Sequence, residues 1–95
     1  MNELRTQIAE TLDEAEWEWL KPFIQKETVI VVNPGLDLLD VGYAIASDNV
    51  MQVTHWIEEA LIQKPTDIQR DIWDHQENKR FNAIIIQPYV LVQEI

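Results

Sequence analysis

The chain alternates between short apolar stretches and polar breaks, and the clearest apolar stretch spans residues 28–46. It begins with Thr28-Val29-Ile30-Val31-Val32, a run of β-branched residues that are stiff about χ1 and fit a pleated, half-buried surface. Asn33-Pro34-Gly35 follows, and each of these residue types favours a turn. Apolar side chains then recur at every second position from Leu39 to Ile45, which is the period of a strand. We therefore predict two antiparallel strands around a turn.

A helix is the alternative for residues 36–46. Helical spacing also fits the apolar residues of this segment, at Leu36, Leu39, Tyr43 and Ala46. We prefer the strand because Gly42 would weaken a helix interior and because Ser47-Asp48-Asn49 is typical of a new helix start.

Helical periods dominate most of the remaining chain. They predict helices at about 2–10, 12–26, 48–62 and 67–76. Thr11 and Glu14 match a capping box for the second helix, and Pro22 should interrupt or kink it. Asn49 with Gln52, and Thr66 with Gln69, give caps for the third and fourth helices.

The tail of the chain returns to strand character. Residues 82–92 are apolar on both faces, as expected for a central strand, and Pro88 marks a bulge, bend or edge. Residues 61–64 could add a very short strand. The pattern predicts one α+β domain over residues 1–95, with an antiparallel sheet of three to four strands (28–33, 38–46, 82–92 and optionally 61–64) and three to four helices. The hairpin and the C-terminal strand should be neighbours in that sheet.

Two tryptophans on the second helix raise the question of an interface. Trp17 and Trp19 are about 200° apart on a helix, so one stripe holds Trp17, Leu20 and Ile24 and the other holds Ala15, Trp19 and Phe23. One stripe packs on the sheet, and the other covers a neighbouring helix or meets another subunit. The candidate interface residues are Trp17, Trp19, Tyr89 and Leu91.

Composition limits the classes of function. The 95 residues are 46% hydrophobic, which supports one modest core, and the lack of cysteine excludes disulfides and thiolate chemistry. The net charge of −10 repels phosphate backbones and anionic lipid, so we expect no nucleic-acid or membrane partner. No signal peptide or membrane-spanning run is visible, which indicates the cytoplasm.

The sequence offers few groups for chemistry. His55 and Glu58 are three apart on one helical face, a spacing that metal ligands can use, but two ligands do not make a site. Asp37 and Asp40 could divide acid and base roles, although Asp37 is also well placed to bind turn amides. We therefore expect no catalytic residue, no metal and no cofactor.

The chain resembles a family of small uncharacterised bacterial proteins, common in cyanobacteria and proteobacteria, that carry a domain of unknown function. The similar segments include Val29 to Val32, Leu36 to Val41, Ala46 to Asn49, Trp56 to Thr66 and Gln87 to Gln93. The resemblance covers most of the chain and implies one full-length domain and no activity.

These observations favour a non-enzymatic protein-interaction or regulatory module that self-associates as a homo-oligomer, through the C-terminal strand or the Trp17/Trp19 helix. One alternative is an acidic inhibitor or immunity-like protein for a basic partner, with the acids from Asp37 to Glu59 on one exposed face. The other is a small metal- or ligand-dependent enzyme, which needs His55 and Glu58, or Asp37 and Asp40, to converge with a third polar group in a pocket.

Overall fold

A mixed five-stranded sheet forms the centre of the structure, a computed structural model that describes residues 3–95. The predicted first helix started at residue 2, which lies outside the described residues. The strands are β1 (Asp13–Glu16), β2 (Val29–Val32), β3 (Ile62–Gln63), β4 (Arg80–Ile86) and β5 (Tyr89–Glu94). The helices are α1 (Glu3–Glu10), α2 (Trp17–Gln25), α3 (Leu38–Ala46), α4 (Val50–Glu58) and α5 (Asp67–Asp74).

The strand order is β1-β4-β5-β2-β3, and β5 lies in the middle. β2 and β5 are parallel, whereas the other neighbouring strands are antiparallel. The predicted α+β class is confirmed, and so is the contact between the β-branched run and the C-terminal strand. The prediction of a purely antiparallel sheet is wrong because β2 and β5 have the same direction.

Helices cover both faces of the sheet, and each face has its own apolar cluster. The first face packs against α2 and α5, and its buried residues include Trp17, Leu20, Trp73, Phe81 and Val92. The second face packs against α1 and α3, and its buried residues include Ile8, Leu38, Val41, Ile84 and Leu91. Alternate residues of each central strand therefore enter different clusters.

The segment 38–46 is the helix α3, so the predicted second strand of the hairpin is wrong. Asp37 caps this helix, since its Oδ1 accepts hydrogen bonds from the backbone amides of Leu39 (2.8 Å) and Asp40 (3.2 Å). Gly42 lies where α3 crosses β4, and the crossing has no room for a side chain at this position. A Cβ at this position would be 2.3 Å from Cδ1 of Ile84. Close approach to the sheet, and not strand geometry, explains the glycine.

The predicted helix 12–26 divides into the strand β1 and the helix α2. The capping box at Thr11 is wrong, since the Thr11 hydroxyl donates to the carbonyl of Ile8 (2.7 Å) and accepts from the amide of Ile85 (3.1 Å). Pro22 lies inside α2, which continues to Gln25. Pairing with β4 holds β1 extended, a tertiary effect that the local pattern does not contain.

The predicted strand 82–92 is a hairpin of two strands. β4 and β5 pair antiparallel around Gln87-Pro88, with Ile86 opposite Tyr89. The predicted helices 48–62 and 67–76 are confirmed as α4 and α5, with earlier ends, and the optional strand 61–64 is confirmed as the two-residue β3. The predicted caps of α4 and α5 are both present. Asn49 caps α4, and Thr66 and Gln69 form the full capping box of α5.

A small polar network fixes the end of the sheet. The Glu94 Oε1 atom accepts hydrogen bonds from the indole nitrogen of Trp73 (3.1 Å) and from the Lys79 ammonium (2.9 Å). The Lys79 ammonium also lies 5.5 Å from the centroid of the Phe81 ring. These contacts, from Lys79 first and then Trp73, hold the pKa of Glu94 below its ordinary value. The network ties α5, β4 and β5 together.

We expect Gly42→Val to lower the free energy of unfolding by about 1–3 kcal/mol, because it overpacks the crossing of α3 and β4. Urea denaturation measures the effect. Ala46→Val is the matched control on the same helix, and Gly42→Val should cost clearly more. Equal midpoints for the two variants would contradict the close packing of Gly42 against Ile84.

We expect Glu94→Gln to lower the free energy of unfolding near neutral pH, because the charged acceptor of the Trp73 and Lys79 hydrogen bonds is lost. The loss should be only about 1 kcal/mol, because solvent screens this partly exposed carboxylate. A carboxylate whose pKa is lower in the folded chain than in the unfolded chain stabilises the fold at pH values above its unfolded pKa. This stabilisation is lost as the pH falls through the folded pKa. The deficit of the variant should therefore shrink in acid. Thermal unfolding across pH measures it, with Glu59→Gln as control. A deficit independent of pH would contradict the assignment.

Candidate interaction surface

The metal-ligand pair suggested by sequence does not converge with further ligands. His55 and Glu58 are both exposed on α4. Across residues 3–95 no group of three or more His, Cys, Asp or Glu side chains is close enough to hold a metal ion. The arrangement in the described chain therefore gives no support to metal chemistry at these residues.

The two candidate carboxylates of the acid-base pair have separate structural contacts. Asp37 caps α3, and Asp40 forms an ion pair with Arg5, with 2.5 Å between Oδ1 and the guanidinium nitrogen. Both aspartates are exposed. A helix cap and a surface ion pair account for these carboxylates without a reaction.

The four candidate interface residues divide into two buried and two exposed side chains. Trp17 and Leu91 are buried in the two clusters, and the Trp17 indole donates to Asp74 Oδ1 at 2.6 Å. Neither side chain therefore offers area to a partner. Trp19 is 62% exposed and Tyr89 is 39% exposed. Only these two remain available for contact with another protein.

The C-terminal strand offers no free edge. β5 is hydrogen-bonded to β4 on one side and to β2 on the other. The sheet edges are β1 and β3. β1 contains Asp13, Glu14 and Glu16, and charged side chains on an edge strand oppose pairing with another chain. The acidic edge β1 therefore disfavours strand addition.

Three exposed apolar side chains come from α2 and from the adjoining sheet. They are Trp19 and Phe23 of α2 and Ile85 of β4, and we call these three residues the α2 patch. Trp19 and Phe23 are one helical turn apart, and the three side chains are 62%, 39% and 49% exposed. The Phe23 carbonyl accepts from the Thr28 amide, the Thr28 carbonyl accepts from the Val90 amide, and Val90 pairs with Ile85. Phe23 and Ile85 therefore lie at the same end of the sheet.

The rest of α2 shows which way the patch points. Trp17 and Leu20 are buried against the sheet, while Lys21 and Gln25 line a cavity of about 430 Å³ between α2 and α5. Lys21 follows Trp19 by two residues, or about 200° of rotation. The patch is therefore on the flank of α2 away from α5, toward β4 and β1.

Charges of both signs lie between α2 and α5. The cations are Lys21 and Arg70, and the acids are Asp67, Asp71 and Asp74. The Lys21 ammonium is 3.1 Å from Glu18 Oε1 and 3.3 Å from Asp74 Oδ1, and these contacts raise its pKa. The hydrogen bond from Trp17, followed by that from Lys21, lowers the pKa of Asp74. The ion pairs keep this side of α2 from being purely acidic.

Sequence reasoning identified Trp19 but missed Ile85. The run Ala83-Ile84-Ile85-Ile86 reads as buried on both faces, and Ile84 is indeed fully buried. Ile85 lies on the first face near the β4–β5 turn, past the last residue that β1 pairs with. The signal that could reveal it is the Pro88 turn directly after the run, which places Ile85 at the end of the strand.

Comparisons with known proteins agree with the fold and give no activity. The family model described as "Protein of unknown function (DUF2288)" matches residues 3–94. The NMR solution structure of PA1075 from Pseudomonas aeruginosa is similar to this chain, with a TM-score of 0.82 and 22% sequence identity. That match covers 99% of this chain and 86% of PA1075, and at this identity it shows the fold alone. A search of curated proteins gives no match.

Membrane insertion through a helix finds no support in the described part of the chain. None of the helices within residues 3–95 combines the length and the apolar character that a bilayer span requires.

Proposed function

The chain belongs to the DUF2288 family of proteins of unknown function, and from its surface we propose that it is a non-enzymatic interaction module that self-associates through the α2 patch. The observation that carries the proposal is Trp19. This side chain is 62% exposed on a helix whose other tryptophan is buried. Tryptophan is enriched at the centres of protein interfaces, where desolvation of its large ring contributes much of the affinity.

The composition of the patch supports a second copy as the partner. In a two-fold dimer the same patch contacts itself, so the patch must be complementary to its own surface. Trp19, Phe23 and Ile85 are uncharged, so two copies can meet here without placing like charges in direct contact. Lys21 and Arg70 lie on the other flank of α2, between α2 and α5, so their charges are kept apart from the patch.

The net charge sets the salt dependence of this association. Two chains of charge −10 repel each other, and salt screens that repulsion. Self-association through an apolar patch should therefore strengthen as the ionic strength rises. Binding of a basic partner would weaken under the same conditions, because salt screens attraction in that case.

A basic partner is the second candidate, and it has its own supporting observation. Five acids of the segment 37–59 are exposed on or next to α3 and α4, over the second face: Asp37, Asp40, Asp48, Glu58 and Glu59. This acidic surface and the α2 patch are on opposite sides of the sheet. The two candidates therefore use different residues and can be separated by mutation.

An enzymatic role has less support than either interaction. The side chains that could act as acid, base or metal ligand are His55, Glu58, Asp37 and Asp40. All four are exposed, Asp40 is paired with Arg5, and among the described residues neither pair belongs to a group of three or more His, Cys, Asp or Glu side chains that could hold a metal ion. The proposed module thus acts by binding and not by catalysis. We place it in the cytoplasm, because a sequence without cysteine is compatible with reducing conditions there.

We expect Trp19→Gln to weaken dimerisation at least about 30-fold, since loss of one interface tryptophan typically costs about 2 kcal/mol and a two-fold dimer loses it from both copies. Sedimentation velocity over a concentration series, at low and high salt, measures the dissociation constant. Stability should change little, because the side chain is mostly exposed. Met51→Gln is the matched control, as Met51 is an exposed apolar residue of α4 on the other side of the sheet.

Three outcomes would contradict self-association through the patch. The wild-type chain could sediment as a monomer at every concentration and salt. The two variants could dimerise equally well. Dimerisation could also weaken as salt is added, which would indicate attraction between unlike charges in place of apolar contact.

A further inference from the structure

An apolar cavity of about 520 Å³ lies on the second face of the sheet, away from the α2 patch. Its walls come from β2, β3 and β5 on the sheet side and from α3 and α4 on the helix side. Six apolar or aromatic side chains line it: Ile30, Ile45, Val53, Ile57, Ile62 and Tyr89. Cavities of this size and lining are typical of sites for small molecules.

Loose packing of α4 creates this cavity. None of its residues is buried, and Val53 and Trp56 are only partly buried against the second cluster. Ile57 is 58% exposed although it borders the cavity. α4 nevertheless has a defined start, because Asn49 caps it. A helix with a capped start and no buried side chain leaves space beneath it that another molecule can fill.

The polar groups at the cavity limit the charge of that molecule. Lys64 and Glu27 line the rim with 4.0 Å between the ammonium nitrogen and the carboxylate oxygen, so their charges largely offset each other. The overall charge of −10 further disfavours an anion. Tyr89, which also lines the cavity, carries a hydroxyl group that can donate and accept hydrogen bonds.

We propose that this cavity binds an uncharged, mainly apolar small molecule with one polar group. Its apolar body would pack against Ile30, Val53 and Ile62, and burial of that body drives binding. Its polar group would lie at the rim, where it could contact the Tyr89 hydroxyl. The Lys64–Glu27 pair presents no net charge to attract a charged ligand, whereas an uncharged one needs none.

The test is a fluorescence titration with the uncharged probe N-phenyl-1-naphthylamine and the anionic probe 1-anilinonaphthalene-8-sulfonate. We expect the uncharged probe to bind with enhanced emission and the anionic probe to bind at least about tenfold more weakly. Val53→Phe fills the cavity and should weaken binding of the uncharged probe about tenfold or more. Val50→Phe is the matched control, since Val50 is 70% exposed on the same helix and does not line the cavity.

Urea denaturation of both variants checks that they fold. The proposal is overturned if the uncharged probe shows no saturable binding, if both variants lose it equally, or if the anionic probe binds more tightly. Loss of probe binding in Trp19→Gln would also overturn it, because the probe would then report the α2 patch. Probe binding that disappears only when the protein dimerises would show that a second copy covers the cavity, and this outcome likewise contradicts a small-molecule site.

Discussion

The parallel pairing of β2 with β5 is the constraint on which the rest of the structure depends. This pairing puts β5 in the interior of the sheet, where Val90 and Val92 enter one cluster and Leu91 enters the other. A strand with apolar side chains on both faces requires cover on both sides. The other elements can be understood as the means by which a chain of 95 residues supplies that cover.

The two faces are covered in different ways. On the first face, aromatic rings fill the space: Trp17 and Trp73 lie with centroids 5.2 Å apart, and Trp73 and Phe81 lie 4.9 Å apart, both in edge-on arrangements. On the second face, α3 approaches β4 closely because Gly42 has no side chain. Coverage ends on both faces near the β4–β5 turn. Ile85 is left exposed on one face and Tyr89 on the other, so the α2 patch and the cavity both lie toward this end of the sheet.

Local signals in the sequence were enough to predict some of these elements. The caps at Asn49 and Thr66 depend on residues three positions away, and both were predicted because the whole interaction is local. β1 could not be predicted in this way. Its sequence Asp-Glu-Ala-Glu has no apolar period, and it is extended because β4 supplies its hydrogen bonds.

The segment 38–46 shows a different limit of predicting secondary structure from local sequence. Its apolar residues fit a period of two and a period of 3.6, so only Gly42 and the helix-start signal at Ser47-Asp48-Asn49 favour a strand. The expected penalty for glycine in a helix assumes an exposed position with room for a side chain. Here Ile84 occupies that room, a fact that follows only from the packing of α3 on β4. For the same reason the sequence nominates both Trp17 and Trp19 as interface candidates but does not tell which of the two is exposed.

The edges of the sheet account for part of the acidic composition and bear on how the molecule can associate. β1 exposes a row of backbone groups, and three of its four residues are acidic. β3 has two residues, and Pro65 follows shortly after it. Charge and shortness both oppose pairing of an edge strand with another chain. In the association proposed above, contact is therefore left to side-chain surfaces. Their shape and polarity would then have to supply the specificity, since backbone hydrogen bonding is the same in every sheet.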